Sequence, residues 1–221
     1  MPHRTQIPPA KKPAYWDEAT ACLRLRDPVM DRLIVEFPGI HVVRRGDPFT
    51  TLARAIVGQQ ISVKAAQIIW DRLVVATKGA GSPIHLDPAR VGRTRTATLR
   101  RVGLSVNKAL YIRDLARHFD SGALDPREWP ALRDEELIER LTDVKGIGRW
   151  TAEMFLMFHE LRPDVLPVAD IGLQNAVAAQ YHGGTRITAA QLREFAAMWS
   201  PWRSVATWYL WRSLDPIPVE Y

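Results

Sequence analysis

Apolar side chains recur at intervals of three and four residues along most of the chain, which is the periodicity of amphipathic helices. We predict about nine or ten helices from this pattern. Residues 40–46, IHVVRRG, alternate like a strand, but one strand cannot form a sheet. The fold class is therefore all-α. Candidate N-caps are Asp47, Ser62 and Ser105, and candidate C-terminal glycines are Gly79 and Gly122.

Two segments of the pattern resemble each other. Residues 99–116, LRRVGLSVNKALYIRDLA, and residues 141–158, LTDVKGIGRWTAEMFLMF, both place a valine and a glycine before a helical stretch that contains alanine. This repeat predicts two related helix–turn–helix units.

Composition narrows the possible functions. Apolar residues make up 47% of the 221, enough for a sizeable core, and no apolar run approaches the ~18 residues of a membrane helix. The single cysteine, Cys22, excludes an internal disulfide and a cysteine-ligated iron–sulfur cluster, which fits a reducing cytoplasm. Residues 1–13 contain four prolines and predict a loose tail rather than a signal peptide. The net charge of +6 permits a polyanionic partner.

The stretch VKGIGRWTA, residues 144–152, places two glycines between two helical segments. In one interpretation Gly146 only ends a helix, and the stretch is a connector. In the other it is a phosphate-binding hairpin, because glycines let backbone N–H groups approach an anion at a helix N-terminus. Lys145 and Arg149 would add positive charge, and Ile147 would pack inward or press on a nucleic-acid groove.

Residues 141–152 resemble the helix–hairpin–helix of the DNA glycosylase superfamily, most closely its DNA-3-methyladenine glycosylase II branch. Three further segments carry the resemblance: AIVGQQISVKAA, VLPVADIGLQNAV and SPWRSVATWYLW. Together they cover roughly residues 48–214. The combination is specific, whereas the hairpin alone would not be.

The resemblance implies a two-lobed helix–hairpin–helix DNA glycosylase fold with the active cleft between the lobes. We expect one lobe at residues 46–157, and the other to combine residues 14–45 with 158–221. Large bacterial relatives have an additional N-terminal β-rich domain, and we expect this chain to be the minimal form without it.

The resemblance places the family's catalytic aspartate at Asp170, where the local sequence by itself predicts a helix N-cap. A carboxylate there would stabilise positive charge on the sugar as the N-glycosidic bond breaks. Strand-cleaving members have a lysine where this chain has Trp150, and an indole cannot form a Schiff base. We therefore expect hydrolysis without lyase activity.

The resemblance also assigns a base pocket to Trp150, Trp202 and Met154. Stacked indoles attract cations, and alkylated purines such as 3-methyladenine carry positive charge. The other tryptophans of the last 23 residues, Trp199, Trp208 and Trp211, are interpreted as core residues.

The remaining implied contacts are with DNA and with an ion. A monovalent cation, Na⁺ or K⁺, would lie on the carbonyls of Thr142, Val144 and Gly146, and catalysis would need no cofactor. The loop GQQIS would fill the gap that a flipped base leaves, with Gln60 standing where some members have an apolar wedge. The DNA-binding residues implied are Lys145, Gly146, Ile147, Gly148, Arg149, Thr151, Gln59, Gln60, Ser62, Lys64 and Arg203.

We expect a monomeric DNA repair enzyme of a bacterial cytoplasm that acts on damaged bases in double-stranded DNA and leaves an abasic site. Two alternatives stay open at this point. The chain could be a non-enzymatic DNA-binding module that uses the hairpin only for docking, or a glycosylase for deaminated, mismatched or oxidised bases.

Overall fold

The computed structural model describes residues 12–44, 46–77 and 85–215. All regular structure in these ranges is helical, which confirms the all-α prediction. Two short 3-10 helices occupy Trp129–Ala131 and Ala196–Trp199. The α-helices are α1 (Trp16–Arg26), α2 (Pro28–Glu36), α3 (Pro48–Gly58), α4 (Val63–Thr77), α5 (Pro88–Arg93), α6 (Thr96–Arg101), α7 (Val106–Asp120), α8 (Asp134–Thr142), α9 (Arg149–Phe158), α10 (Ile171–Tyr181), α11 (Ala189–Phe195) and α12 (Arg203–Leu214).

The predicted number of helices was wrong. The described residues hold twelve α-helices rather than nine or ten, because α5 and α6 have six residues each and are too short to show a periodic pattern. Residues 40–44 form no strand. Val42 is buried in a core made by helices, so the alternation of this stretch reflects a coil packed against helices.

The predicted caps in the described residues are confirmed. Asp47 accepts a hydrogen bond from the Thr50 amide at 2.9 Å, and Ser105 accepts one from the Lys108 amide at 3.2 Å. Gly122 has a φ of +77°, a left-handed conformation that favours glycine after a helix. Ser62 accepts from the amide of Ala65 at 3.3 Å. The predicted cap at Gly79 lies outside the described residues.

The chain divides into two compact units, residues 45–155 and residues 1–44 with 156–221. The boundaries expected from the sequence lie within one or two residues of these. Most of the predicted tail, residues 1–11, lies outside the described residues. Pro13 is buried, and its carbonyl accepts from the amide of Trp16 at 3.0 Å.

The unit that contains both chain ends has its core around Trp199, which is fully buried. The buried carboxylate of Asp27 organises this core, because it accepts from the Tyr181 hydroxyl at 2.6 Å and from the Trp199 indole at 2.9 Å. The same carboxylate caps α2 by accepting from the Val29 amide. Helices from distant parts of the sequence are thereby joined to one buried anion.

The unit of residues 45–155 has an aromatic core. Phe119 packs edge-on against both Phe49 and Trp129, and Trp129 packs edge-on against Phe155. Trp129 is fully buried. The helices in the described ranges lack the length and apolarity needed to span a membrane.

The two related helix–turn–helix units predicted from the repeat are present in this unit. Helices α6 and α7 are joined through Gly103, with a φ of +111°, and helices α8 and α9 through Gly146, with a φ of +86°. A left-handed glycine turns the chain in both connections.

Candidate active site

The hairpin between α8 and α9 is a tight turn closed by its own backbone. The amide of Val144 donates to the carbonyl of Leu141 at 3.2 Å, and the amide of Ile147 donates to the carbonyl of Val144 at 3.0 Å. Ile147 is buried, so the structure selects the inward-packing alternative for this side chain. Helix α9 then begins at Arg149, and the first amides of a helix have no partner within it.

The two glycines of the hairpin serve different purposes. A Cβ atom on Gly146 would lie 2.2 Å from the Tyr111 ring, and its φ of +86° also requires glycine. A Cβ atom on Gly148 would meet nothing within 4 Å, and this residue has no left-handed φ. The fold therefore requires the first glycine, whereas the second leaves open space beside the start of α9. Open space of this kind lets an external anion approach the backbone.

The loop between α3 and α4 is attached to the hairpin. The side-chain amide of Gln59 donates to the carbonyl of Gly146 at 2.8 Å. Lys108 donates from Nζ to the carbonyls of Val57 and Gln59, at 2.7 and 2.6 Å, and burial lowers the pKa of Lys108 below its usual value. Gln59 thus has a structural role here, while the neighbouring Gln60 is exposed with a left-handed φ of +58°.

The charged residues predicted to grip DNA differ in their surroundings. Lys145 and Lys64 are exposed. Arg149 pairs with Glu135 at 2.6 Å and Glu153 at 3.0 Å. Arg203 makes a bidentate pair with the carboxylate of Asp164, at 2.7 and 2.8 Å, which fixes the start of α12. Contacts of these residues with DNA stay predictions.

Asp170 is the N-cap of α10. Its Oδ1 accepts from the Leu173 amide at 2.7 Å and from the indole Nε1 of Trp211 at 2.9 Å. The cap confirms the local interpretation, and it positions the carboxylate at a helix N-terminus, where negative charge is favoured. Two donors on one oxygen also determine the orientation of the carboxylate plane.

Sequence reasoning missed the support that Trp211 and Gly172 give to this carboxylate. Trp211, interpreted as a core residue, is half-buried, stacks on Phe158 and donates to Asp170. A Cβ atom on Gly172 would lie 3.0 Å from Asp170 Oδ1 and 3.2 Å from Trp211 Nε1. A glycine in the first turn of a helix is unfavourable for helix formation, and that was the one signal in the sequence.

The three predicted pocket residues lie in two units. Trp150 and Met154 belong to residues 45–155, and Trp150 is 41% exposed whereas Met154 is 8% exposed. Trp202 belongs to the unit of Asp170 and stacks on Tyr15, with ring centroids 5.9 Å apart and planes 19° apart. The convergence of Trp150 with Asp170 and Trp202 stays a prediction.

Within the described ranges, no group of three or more His, Cys, Asp or Glu side chains is arranged to hold a metal ion. A carboxylate fixed at a helix N-terminus and a glycine hairpin are the chemical features that the geometry establishes.

A comparison with family models decides which family has this arrangement. Residues 53–202, about two thirds of the chain, match the model described as HhH-GPD superfamily base excision DNA repair protein. The chain belongs to this superfamily. The matched range includes the hairpin, Asp170 and Trp202, and it ends within the last of the segments that carried the resemblance.

Named relatives agree with the superfamily assignment. The chain is 32% identical to DNA-3-methyladenine glycosylase 1 of Schizosaccharomyces pombe, over 82% of this chain and 79% of that protein. It is 28% identical to a DNA-3-methyladenine glycosylase of Bacillus subtilis, over 85% of this chain and 64% of that protein. The chain thus spans about two thirds of the length of the Bacillus subtilis relatives that it matches.

Solved structures of the HhH-GPD type have the same fold. A DNA-3-methyladenine glycosidase from Bacillus halodurans superposes with a TM-score of 0.82 at 34% identity, covering 89% of each chain. The Schizosaccharomyces pombe 3-methyladenine DNA glycosylase in complex with abasic DNA gives a TM-score of 0.74 at 29% identity, covering 91% of this chain and all of that one.

Proposed function

We propose that this protein is a monofunctional DNA glycosylase that removes alkylated purines from duplex DNA and leaves an abasic site. The observation that carries the proposal is the fixed carboxylate of Asp170, in a chain that belongs to the HhH-GPD superfamily. The names of the relatives, and the abasic DNA bound to the Schizosaccharomyces pombe neighbour, support the substrate class and the product.

The reaction breaks the bond between the sugar C1′ and the base nitrogen, and the bonding electrons leave with the base. Positive charge develops on the sugar, and the Asp170 carboxylate stabilises it electrostatically. Water then adds to C1′ and releases a proton. Because an alkylated purine is already cationic, it leaves as a neutral base and needs little help from a general acid.

The absence of strand cleavage follows from the residue at position 150. A lyase needs an amine that attacks C1′ and forms a Schiff base, and the indole of Trp150 cannot do so. Lys145 carries the amine of the hairpin turn, but it stands five residues earlier in the chain. Water is therefore the nucleophile in the proposed reaction.

The aromatic residues account for the proposed preference for cationic bases. Trp150 and Trp202 would stack on the extruded purine, and electron-rich indole faces attract its positive charge. Tyr15, stacked on Trp202, extends this aromatic surface. Extrusion costs a few kcal/mol and is easiest for damaged pairs, which adds to the selectivity.

In the proposed complex the hairpin grips the DNA backbone and Gln60 fills the gap left by the base. A Na⁺ or K⁺ ion would be held by the carbonyls of Thr142, Val144 and Gly146, and would clamp a phosphate without taking part in the chemistry. The oxygens of Val144 and Gly146 each accept one hydrogen bond in the structure, which leaves a second lone pair on each for an ion.

The test is release of bases from duplex DNA treated with a methylating agent. The wild-type protein should release 3-methyladenine and 7-methylguanine, and Asp170→Asn should release them about 100-fold more slowly or not at all. Asparagine also caps helices, so the variant should fold and bind DNA like the wild type. Intact methylated DNA after incubation with an equimolar amount of wild-type protein would contradict the proposal and favour a docking module.

The monofunctional assignment has its own test. After base release the DNA strand should remain intact until alkali is added, and borohydride should trap no covalent protein–DNA adduct, because no Schiff base forms. A borohydride-trapped adduct would show that an amine, such as that of Lys145, acts as a nucleophile.

A panel of lesions distinguishes the alkylpurine proposal from its substrate alternatives. We expect faster release of methylated purines than of uracil, hypoxanthine or 8-oxoguanine from the same duplex sequence. Faster release of an uncharged lesion would assign the chain to a different substrate class of the superfamily.

A further inference from the structure

The positive charge of the chain is concentrated in one segment. Residues 88–120, which cover α5, α6 and α7, contain eight Lys and Arg residues and two Asp residues, a formal excess of six, and the whole chain has the same excess of six. The remainder of the molecule is therefore close to neutral. Such a concentration indicates a surface for a polyanion rather than a general property of the protein.

Part of this charge lines a groove of about 530 Å³ in the unit of residues 45–155. Its lining includes four basic side chains, those of Arg93, Arg113, Arg117 and Lys145. All four residues are exposed, so their side chains can reach a ligand in solvent. Two carboxylates also line the groove, and they are Asp114 and Asp120.

Asp114 is already engaged by neighbouring groups. Its side chain is 10% exposed, accepts from the backbone amide of Lys145 at 2.9 Å and pairs with Arg117 at 2.7 Å. The ring of His118 lies 3.7 Å from its second oxygen. Asp120 is exposed, and its carboxylate would repel a phosphate. With four basic side chains against two carboxylates, the groove still has an excess of two positive charges.

The groove is continuous with the glycine hairpin. Lys145 belongs to both, and its amide connects the hairpin to α7 through Asp114. The ring of Tyr111, which lines the groove, lies against Gly146. An anion bound by the hairpin would thus have further cationic side chains directly beside it, along α5 and α7.

We propose that this groove is a second backbone-binding surface, which holds duplex DNA phosphates next to those gripped by the hairpin. The inference rests on the proposed function only in that the partner is DNA, and it does not depend on base release. Arginine suits this task, because its planar guanidinium binds phosphate oxygens in a bidentate manner. The surface would add affinity without reading sequence.

The first test measures affinity for an undamaged duplex as a function of salt. The variant is Arg93→Gln/Arg113→Gln, and the matched control is Arg193→Gln, an exposed arginine on α11. Loss of two phosphate contacts should weaken binding about 10-fold at low salt and reduce the slope of log K against log salt by about 2. The control should change neither quantity, and all variants should have the melting temperature of the wild type.

The second test locates the contacts. Methylphosphonate groups, which are uncharged, replace one phosphate at a time in a duplex with a stable abasic analogue. Some replacements should weaken binding of the wild type but not of Arg93→Gln/Arg113→Gln, because those contacts are already lost. Replacements at the hairpin phosphates should weaken both proteins equally.

The groove proposal is overturned if the double variant has the affinity and salt slope of Arg193→Gln. It is also overturned if the same phosphate replacements weaken binding of the wild type and of the double variant. Base release is measured separately on methylated DNA. Suppose that some phosphate replacements weaken the wild type but not the double variant, and that the wild type releases no base. That result would refute the enzymatic proposal and leave this inference standing. If the protein releases bases but the same phosphate replacements weaken the wild type and the double variant equally, the groove proposal is refuted and the enzymatic proposal stands.

Discussion

The carboxylate of Asp170 caps α10 and, in the proposed reaction, stabilises the sugar cation. Both tasks need the same orientation, which is held by a local amide and by the indole of Trp211, 41 residues later. Gly172 keeps the necessary space open. We regard Trp211 as a positioning residue, because it would affect the reaction only through its hydrogen bond to Asp170.

Trp211→Phe tests this positioning role. The phenyl ring can still stack on Phe158, so the free energy of unfolding should fall by only about 1 kcal/mol for the lost hydrogen bond. Base release should fall about 10-fold, since the carboxylate loses one of the donors that orient it. The effect should vanish in an Asp170→Asn background, as a double-mutant cycle would show.

The matched control is Trp208→Phe, which changes a buried tryptophan of the same helix that packs edge-on against the same Phe158 ring. Base release should remain at the wild-type rate. Equal losses in the two variants would mean that Trp211 only supports packing.

Tyr15 provides a prediction about pH. Burial raises the pKa of Tyr15 to about 12, from the usual value of 10.0 for tyrosine. Because the folded pKa is the higher one, the protonated phenol stabilises the fold below pH 10, and this contribution is lost as pH rises through 12. Difference absorbance of wild type and Tyr15→Phe should show one phenol that ionises near pH 12. A phenol that titrates near pH 10 in the folded protein would contradict the burial.

At the scale of elements, the hairpin between α8 and α9 combines a structural glycine with an exposed one. Gly146 makes room for Tyr111 of α7, and its carbonyl accepts from Gln59 beyond the end of α3. The hairpin is therefore held by two other elements of its unit. Gly148 has no such neighbours, which leaves it available for a ligand.

Gly146→Ala and Gly148→Ala form a matched pair. Alanine at position 146 would adopt a left-handed φ and collide with the Tyr111 ring, so we expect a loss of about 2–4 kcal/mol in the free energy of unfolding. Alanine at position 148 should leave stability within about 0.5 kcal/mol but weaken duplex binding several-fold, because a methyl group would stand where a phosphate approaches. Urea denaturation and fluorescence anisotropy measure the two effects. Equal stabilities of the two variants would contradict the division of roles.

At the scale of the whole molecule, each unit has its own core, around Trp199 in one and Trp129 in the other. The charge is distributed unevenly over the chain, with the excess in residues 88–120 of the unit that also contains the hairpin. We expect this unit to provide most of the electrostatic attraction to DNA.

The whole-molecule prediction concerns salt. Binding of the intact protein to undamaged duplex should weaken steeply as salt increases, with a slope of log K against log salt of about −3 to −5 for four or five phosphate contacts. Titrations at several potassium chloride concentrations measure it. A slope near zero would show that backbone charge contributes little to binding, and would contradict both the hairpin and the groove as phosphate sites.

Many features were predictable from the sequence because they depend on neighbours within a few residues. Asp47, Ser105 and Asp170 each cap a helix through the amide three positions ahead, so short stretches of sequence predicted them correctly. Helices α5 and α6 were missed, because six residues show no period and such short helices depend on packing for their stability. The strand-like alternation noted at residues 40–46 does not correspond to a strand in residues 40–44, because the buried Val42 belongs to a coil packed beside helices.

The sequence by itself determined the helical class, the caps and the superfamily motif, because these depend on local hydrogen bonds and on the order of residues along the chain. Only the tertiary structure decided that Trp211 donates to Asp170, that Tyr15 stacks on Trp202, and that Tyr111 requires a glycine at position 146. These contacts join residues separated by 35 to 187 positions. Their partners are selected by the packing of whole helices, which no local pattern of residues encodes.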